Sequence, residues 1–235
     1  MRKISENIVF NDYTLNLFTD ASIKKIQDET IGCSGVIATI GDQFVDKELA
    51  LIRDTTNGDS EIKAIELGVN MALLYKDKVK HINLFSDSKT SICGLREWIF
   101  NWVTSSTGNI LEKSDGQPVK NQSVYINIIN TIIDNDLRIN FYHQVGHVNL
   151  SKPDSLERAK DLFIKYNYIQ CDVDIDLIKK ISHINILVDN DTRYVVNNSS
   201  IARIKPELAM REMYKPFDIY KYARLINAPL IELGE

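Results

Sequence analysis

Two apolar runs that each lead directly into an aspartate constrain this chain more than any other feature. Tyr13-Thr-Leu-Asn-Leu-Phe-Thr-Asp20 alternates polar and apolar residues, and His81-Ile-Asn-Leu-Phe-Ser86 precedes Asp87. Both read as strands that deliver a carboxylate at their ends. Between them, Gly35–Ile40 and Phe44–Ile52 flank Gly41-Asp42, a good hairpin turn, so three antiparallel strands come first. From Glu61 onward, Ala64, Ile65, Gly68 and Ala72 share one helical face with Met71 beside them, while Asn57-Gly58-Asp59 supplies loop and cap chemistry just before. The spacing predicts an amphipathic helix with Glu61 in its first turn. A helix after Asp87 running through Trp98, another marked by Val124, Ile128 and Ile132, and a strand over Leu137–His143 complete the alternation. The order predicts an α/β fold: a five-stranded mixed sheet, three antiparallel strands followed by parallel ones, flanked by helices.

The pattern weakens between Thr104 and Val119, where Ser, Thr, Gly, Asp and Pro gather into a surface excursion. Beyond Gly146-His147 lie helical stretches at Asp154–Tyr166 and Asp172–His183, and then the segment Asn185–Val196. The last residues, with Pro206, Pro216 and Pro229, read as an irregular tail. No apolar run approaches the roughly 18 residues that a membrane span requires. The polar start, Met1 to Glu6, has no apolar leader segment, so a cytoplasmic monomer away from membranes is the expectation. Cys33, Cys93 and Cys171 are scattered and odd in number, which suits reduced thiols better than disulfides or a zinc ribbon. Neither a Walker-type loop nor a Gly-x-Gly-x-x-Gly turn occurs, and Asp172, Asp174 and Asp176 lack the glycine and terminal glutamate of a calcium loop.

A formal net charge of −4 argues mildly against nucleic-acid binding, which usually draws on surplus Lys and Arg. Carboxylates that recruit divalent cations reverse that logic, because the bound ions invert the local field. Asp20, Glu61 and Asp87, if their elements are neighbours, would repel one another unless hard, oxygen-preferring ions such as Mg²⁺ or Mn²⁺ sat among them.

These segments together resemble ribonuclease H of the bacterial type, over residues 13 to about 150. The resemblance rests on Phe18-Thr-Asp-Ala-Ser22, Thr55-Thr-Asn-Gly-Asp-Ser-Glu61, Ser86-Asp-Ser88, Trp98-Ile-Phe-Asn-Trp102, Pro118-Val-Lys-Asn121 and Gly146-His147 in the family's order. It implies a ribonuclease H-like catalytic domain over residues 1–200 and a C-terminal extension over 201–235. It further implies hydrolysis of the RNA strand of an RNA·DNA hybrid, with 5′-phosphate and 3′-hydroxyl products and two Mg²⁺ ions, Mn²⁺ being able to substitute, about 3.5–4 Å apart. The family's fourth carboxylate follows the Gly-His pair in an Asn-x-x-x-Asp pattern. Here Asn185-Ile-Leu-Val-Asp189 reproduces that spacing, which makes residues 148–184 a helical insertion and leaves Asp161 and Asp154 as rivals. The metal ligands implied are then Asp20, Glu61, Asp87 and Asp189, with His147 handling protons at the cleft's edge. Asn57 and the backbone at Gly58 would sense the 2′-hydroxyl, Thr56 with Arg53 would grip a DNA phosphate, and Lys89 and Trp98 would touch substrate. The alternatives are an idle hybrid-binding module, against which the intact carboxylates count, and a nuclease redirected to another nucleic acid, which the neutral segment Thr104–Asn121, basic in bacterial relatives, keeps open.

Overall fold

Five strands form one mixed sheet in the computed structural model, which describes residues 8–105, 110–199 and 217–229. Strands β1 (Thr14–Ile26), β2 (Glu29–Ile40) and β3 (Gln43–Arg53) make an antiparallel meander. Helix α1 (Asn57–Tyr75) then crosses over, so that β4 (His81–Ser86) lies parallel to β1, and β5 (Asn140–His143) lies parallel to β4. The strand order is β3-β2-β1-β4-β5. The expected architecture is the observed one.

The alternation of the strands separates two cores. Leu15 and Leu17 of β1, with Ile82 and Leu84 of β4, pack with Ile62, Ile65 and Val69 of α1 and with Ile128 and Ile132 of α4 (Gln122–Asp134). On the opposite face Phe18, Phe85 and Tyr142 stand in register across β1, β4 and β5, stacked with centroids 5.0 and 5.3 Å apart. Offset aromatic pairs of this kind each add about 0.5–1.5 kcal/mol beyond the area they bury. Phe163 of α5 (Pro153–Tyr166) and Val188 of α6 (Ile175–Asn198) close that second core.

Several elements differ from the sequence expectation. β1 does not stop at Asp20 but continues six residues further, because beyond Thr19 it pairs with β2 alone in a long hairpin. α1 begins at Asn57 rather than near Glu61: Thr56 caps it in a capping box with Asp59, which places Glu61 in the second turn. The stretches Asp172–His183 and Asn185–Val196 are not separate. Ile178, Ile181, Asn185, Val188, Thr192 and Val196 form one buried stripe on a continuous α6, with no glycine or proline to interrupt it.

The helix after Asp87 is built in three parts: α2 (Lys89–Cys93), a π-helical turn (Gly94–Trp98) and α3 (Ile99–Ser105). The π turn carries Arg96, whose buried guanidinium donates to the Phe141 carbonyl at 3.1 Å and to Asn167 Oδ1 at 2.9 Å. Of the surface excursion, 106–109 lie outside the described residues, whereas Leu111 and Val119 are buried in the first core. The extension is only partly described, Pro206 and Pro216 lying outside. Its described part is not an irregular tail: α7 (Ile219–Leu225) buries Tyr222 completely, and the Tyr222 hydroxyl donates to the Leu95 carbonyl at 3.1 Å.

Candidate active site

The parallel pairing of β1 with β4 ends at Thr19 and Ser86, so the next residue on each strand, Asp20 and Asp87, stands where the two strands part. Glu61 reaches the same point from α1. These three carboxylates offer oxygens that all lie within 4.8 Å of one another, the group of that kind found among the described residues. Asp20 and Glu61 are nearly buried, at 5% and 8% exposure. Burial, and after it the Asp87 carboxylate, pushes Asp20 up to about 8; burial, then Asp87 and Asp20, pushes Glu61 up to about 9. Burial raises Asp87 as well, against the pull of His147 and of a hydrogen bond from Asn185.

Local chemistry holds this arrangement. Asp20 Oδ1 accepts from the Ala21 backbone N–H at 2.7 Å, and Asn57 Nδ2 donates to Glu61 Oε1 at 3.4 Å. Glu61 Oε2 is buried with no hydrogen-bond partner. An unpaired, buried carboxylate oxygen facing two more carboxylates is costly by itself. A hard divalent cation would satisfy that oxygen and cancel the repulsion, so the donor set fits such an ion. Gly146 matters here through its missing side chain, since a Cβ on it would overlap the Asp87 carboxylate.

Asp189 faces the same groove from α6 at 16% side-chain exposure, but it stands outside the three-carboxylate set. Both its oxygens accept from Arg193 Nη2 at 2.8 Å, one helical turn on. α6 reaches this position because Gly35, opposite Asp20 on β2, leaves room for Thr192 and Val188. Asp161 and Asp154 are exposed on α5 and do not line the groove.

The groove around the cluster has a volume near 670 Å³ and takes in Asn57, Gly58, Lys89, Lys120, His147 and Arg193. His147 is exposed on a left-handed turn (φ 55°). The Lys89 ammonium lies over the Tyr166 ring, 4.1 Å from its centroid. Trp98, 40% exposed, lines a neighbouring groove with Trp102, and Thr90, Lys120 and Tyr125 border both. Two of the expected binding residues are not brought into the groove. Arg53 is engaged by Glu29 through bonds of 3.0 and 2.8 Å, and Thr56 caps α1 while accepting from Lys120 Nζ at 3.0 Å.

Sequence reasoning left out the supports behind Asp87. Asn185 enters the sequence pattern only as the start of a spacing, yet its side chain acts on the Asp87 carboxyl to offset the effect of burial, and its Oδ1 accepts from Gln144 Nε2. His143 Nε2 lies 3.2 Å from the Asp87 carbonyl oxygen, and burial lowers the His143 imidazole to about 4, so the ring is neutral and donates that proton.

A parallel pair whose strand ends carry aspartates, crossed by a helix supplying a glutamate, makes an acidic centre on an α/β sheet that could hold a metal ion. The family model described as RNase H matches residues 12–159, well over half of the chain. A ribonuclease HI of Haemophilus influenzae is 31% identical over 134 residues, covering 57% of this chain and 78% of that relative. A ribonuclease H of Actinobacillus succinogenes is 32% identical over 115 residues, which is 48% of this chain and 66%, just under two thirds, of that relative. The fold is also that of part of the foamy viral protease-reverse transcriptase, solved in complex with an RNA/DNA hybrid: TM-score 0.52 and 14% identity, covering 72% of this chain and 22% of that one. This chain belongs to the RNase H family of ribonucleases. The match to the family model ends before α6, so the helix that presents Asp189 lies beyond it.

Proposed function

We propose that this chain hydrolyses the RNA strand of RNA·DNA hybrids with divalent metal, Mg²⁺ by preference and Mn²⁺ as a substitute, leaving 5′-phosphate and 3′-hydroxyl ends. The observation that carries this reading is the convergence of Asp20, Glu61 and Asp87 around a buried, unpartnered glutamate oxygen in a chain of this family. Asp20, Glu61, Asp87 and Asp189 would hold the metal. When bound, divalent ions supply Lewis-acid stabilisation of the phosphate and lower the pKa of water.

The chain's own groups orient and exchange protons. Asn57 holds the Glu61 carboxylate by a direct hydrogen bond, and Asn185, itself held by Gln144, favours the charged form of Asp87. His147, exposed beside Asp87, hands a proton to the departing 3′ oxygen. Asn57 and the open backbone at Gly58 read the 2′-hydroxyl across the wide minor groove of the hybrid, while Lys89 contacts phosphate and Trp98 packs against the DNA strand. Support for the fourth ligand is that Asp189 faces the cluster and raises Asp20, Glu61 and Asp87 through its charge. We assign residues 1–200 as the catalytic domain, with 148–184 as an insertion made of α5 and the first turns of α6, and 201–235 as an extension.

Asp87→Asn tests the reading. The variant should bind a hybrid as the parent does in Mg²⁺ but cleave at least on the order of 1,000-fold more slowly, a loss of about 4 kcal/mol of transition-state stabilisation. Near-normal turnover would overturn it.

A further inference from the structure

Just behind the groove of the acidic cluster, where the starts of α1 and α4 meet and Asn57, Lys120 and Asn121 line its wall, three donors converge on one carboxylate, Asp59. Its Oδ1 accepts from Asn121 Nδ2 at 2.8 Å and pairs with Lys120 Nζ at 3.0 Å, and its Oδ2 accepts the Thr56 backbone N–H at 3.1 Å. The Thr56 hydroxyl closes the arrangement by accepting from Lys120 Nζ at 3.0 Å. Burial alone would raise Asp59, but the hydrogen bonds from Asn121, Thr56 and Lys120 outweigh it and hold the carboxyl below its ordinary value.

An ammonium, an amide and a backbone N–H fanned around two oxygens would suit a phosphate as well as a carboxylate. Their position suits one too. Lys120 borders both the groove of the acidic cluster and the groove of Trp98, and its side chain is 65% exposed. We propose that Asp59 is an internal stand-in for a backbone phosphate: it occupies the Lys120, Asn121 and Thr56 donors in the free protein, and substrate must displace it to be gripped there. Asp59 thereby weakens and tunes nucleic-acid binding. The exchange is cheap, because a partly exposed ion pair in water is weak. This inference rests on the proposed action on a hybrid.

The test is hybrid binding, followed by fluorescence anisotropy between 50 and 200 mM salt, with every variant made in the full-length Asp87→Asn chain in Mg²⁺. Asp59→Asn keeps an oxygen able to accept the Thr56 N–H but removes the charge; Asp59→Ser, which also keeps a short side-chain oxygen, is the second variant. Both should bind more tightly than their parent. One added phosphate contact steepens the log–log salt slope by about 0.9, so the gain should be about 3.5-fold larger at 50 mM than at 200 mM. Lys120→Met should cost more in the Asp59→Asn background than without it, erasing the gain. Asp115→Asn removes a charge from the neighbouring loop, and its slope should stay at the parental value. An unchanged slope in both Asp59 variants, a gain that survives Lys120→Met, or an equal gain from Asp115→Asn would each overturn the proposal. Absence of any hybrid binding by the Asp87→Asn chain would instead overturn the function reading beneath it.

Discussion

Replacing Asp20 with Asn should stabilise the metal-free protein while abolishing its activity. The carboxyl ionises near 3.8 in an unfolded chain but only at about 8 in the fold, where burial and Asp87 oppose its charge. Below pH 3.8 it is protonated in both states. As the pH rises the unfolded chain ionises first, so stability present in acid is lost progressively until the pH passes about 8, and Glu61 extends the loss to about 9. At 1.36 kcal/mol for each pH unit between the two values, the cost at Asp20 is on the order of 3–5 kcal/mol once shared repulsion with Glu61 and Asp87 is considered. For a chain of this size that corresponds to a Tm difference on the order of 10 °C. Calorimetric melting in chelator at pH 5, 7 and 9 reads it. The parent should lose Tm across that series, and Asp20→Asn should exceed it most at pH 9. Excess Mg²⁺ should narrow the gap by stabilising the parent. A parent Tm that is flat or rises toward pH 9 in chelator, or an Asp20→Asn chain that melts below it there, would refute the reasoning.

Other perturbations have equally definite outcomes. Asp189→Asn should lower kcat/KM by on the order of 100-fold or more, whereas Asp161→Asn on the exposed face of α5 should stay within about twofold; the reverse ranking would return the fourth ligand to α5. Gly146→Ala drives a methyl group into the Asp87 carboxylate and should weaken Mg²⁺ affinity by about 10–100-fold in calorimetric titration, with the circular dichroism spectrum unchanged. Tyr222→Phe removes the hydrogen bond to Leu95 and should cost about 1 kcal/mol in urea unfolding. Tyr222→Ala should cost about 3–5 kcal/mol if α7 is part of the folded unit.

The sheet was legible because its period-2 strands and the Gly41-Asp42 turn are local signals, as are the carboxylates at Asp20 and Asp87. The boundaries were less so. β1 outlasts its parallel partner only because β2 accompanies it to Ile26, a tertiary fact with no local mark, and the same pairing extends β2 back to Glu29. Asn185 and Asp189 stand out only through the family's Asn-x-x-x-Asp pattern, and that pattern does not show that α6 runs unbroken from Ile175 or that Arg193 holds Asp189. Least legible was the outer edge of β5. There Asn167 bonds the N–H and C=O of His143 at 2.8 and 2.7 Å, and Asn227 does the same for Phe141 at 2.8 and 3.0 Å. Two side-chain amides thus satisfy an edge strand from 24 and 86 residues away, and an isolated asparagine in a sequence gives no hint of that role.

The most direct measurement is cleavage of one sequence, labelled on either strand and presented as RNA·DNA hybrid, duplex RNA, duplex DNA and single-stranded RNA, in Mg²⁺, Mn²⁺ or chelator. The account predicts cutting of the RNA strand of the hybrid alone, with metal and not without it. Cutting of another substrate in preference, or of none while the hybrid is still bound, would contradict it.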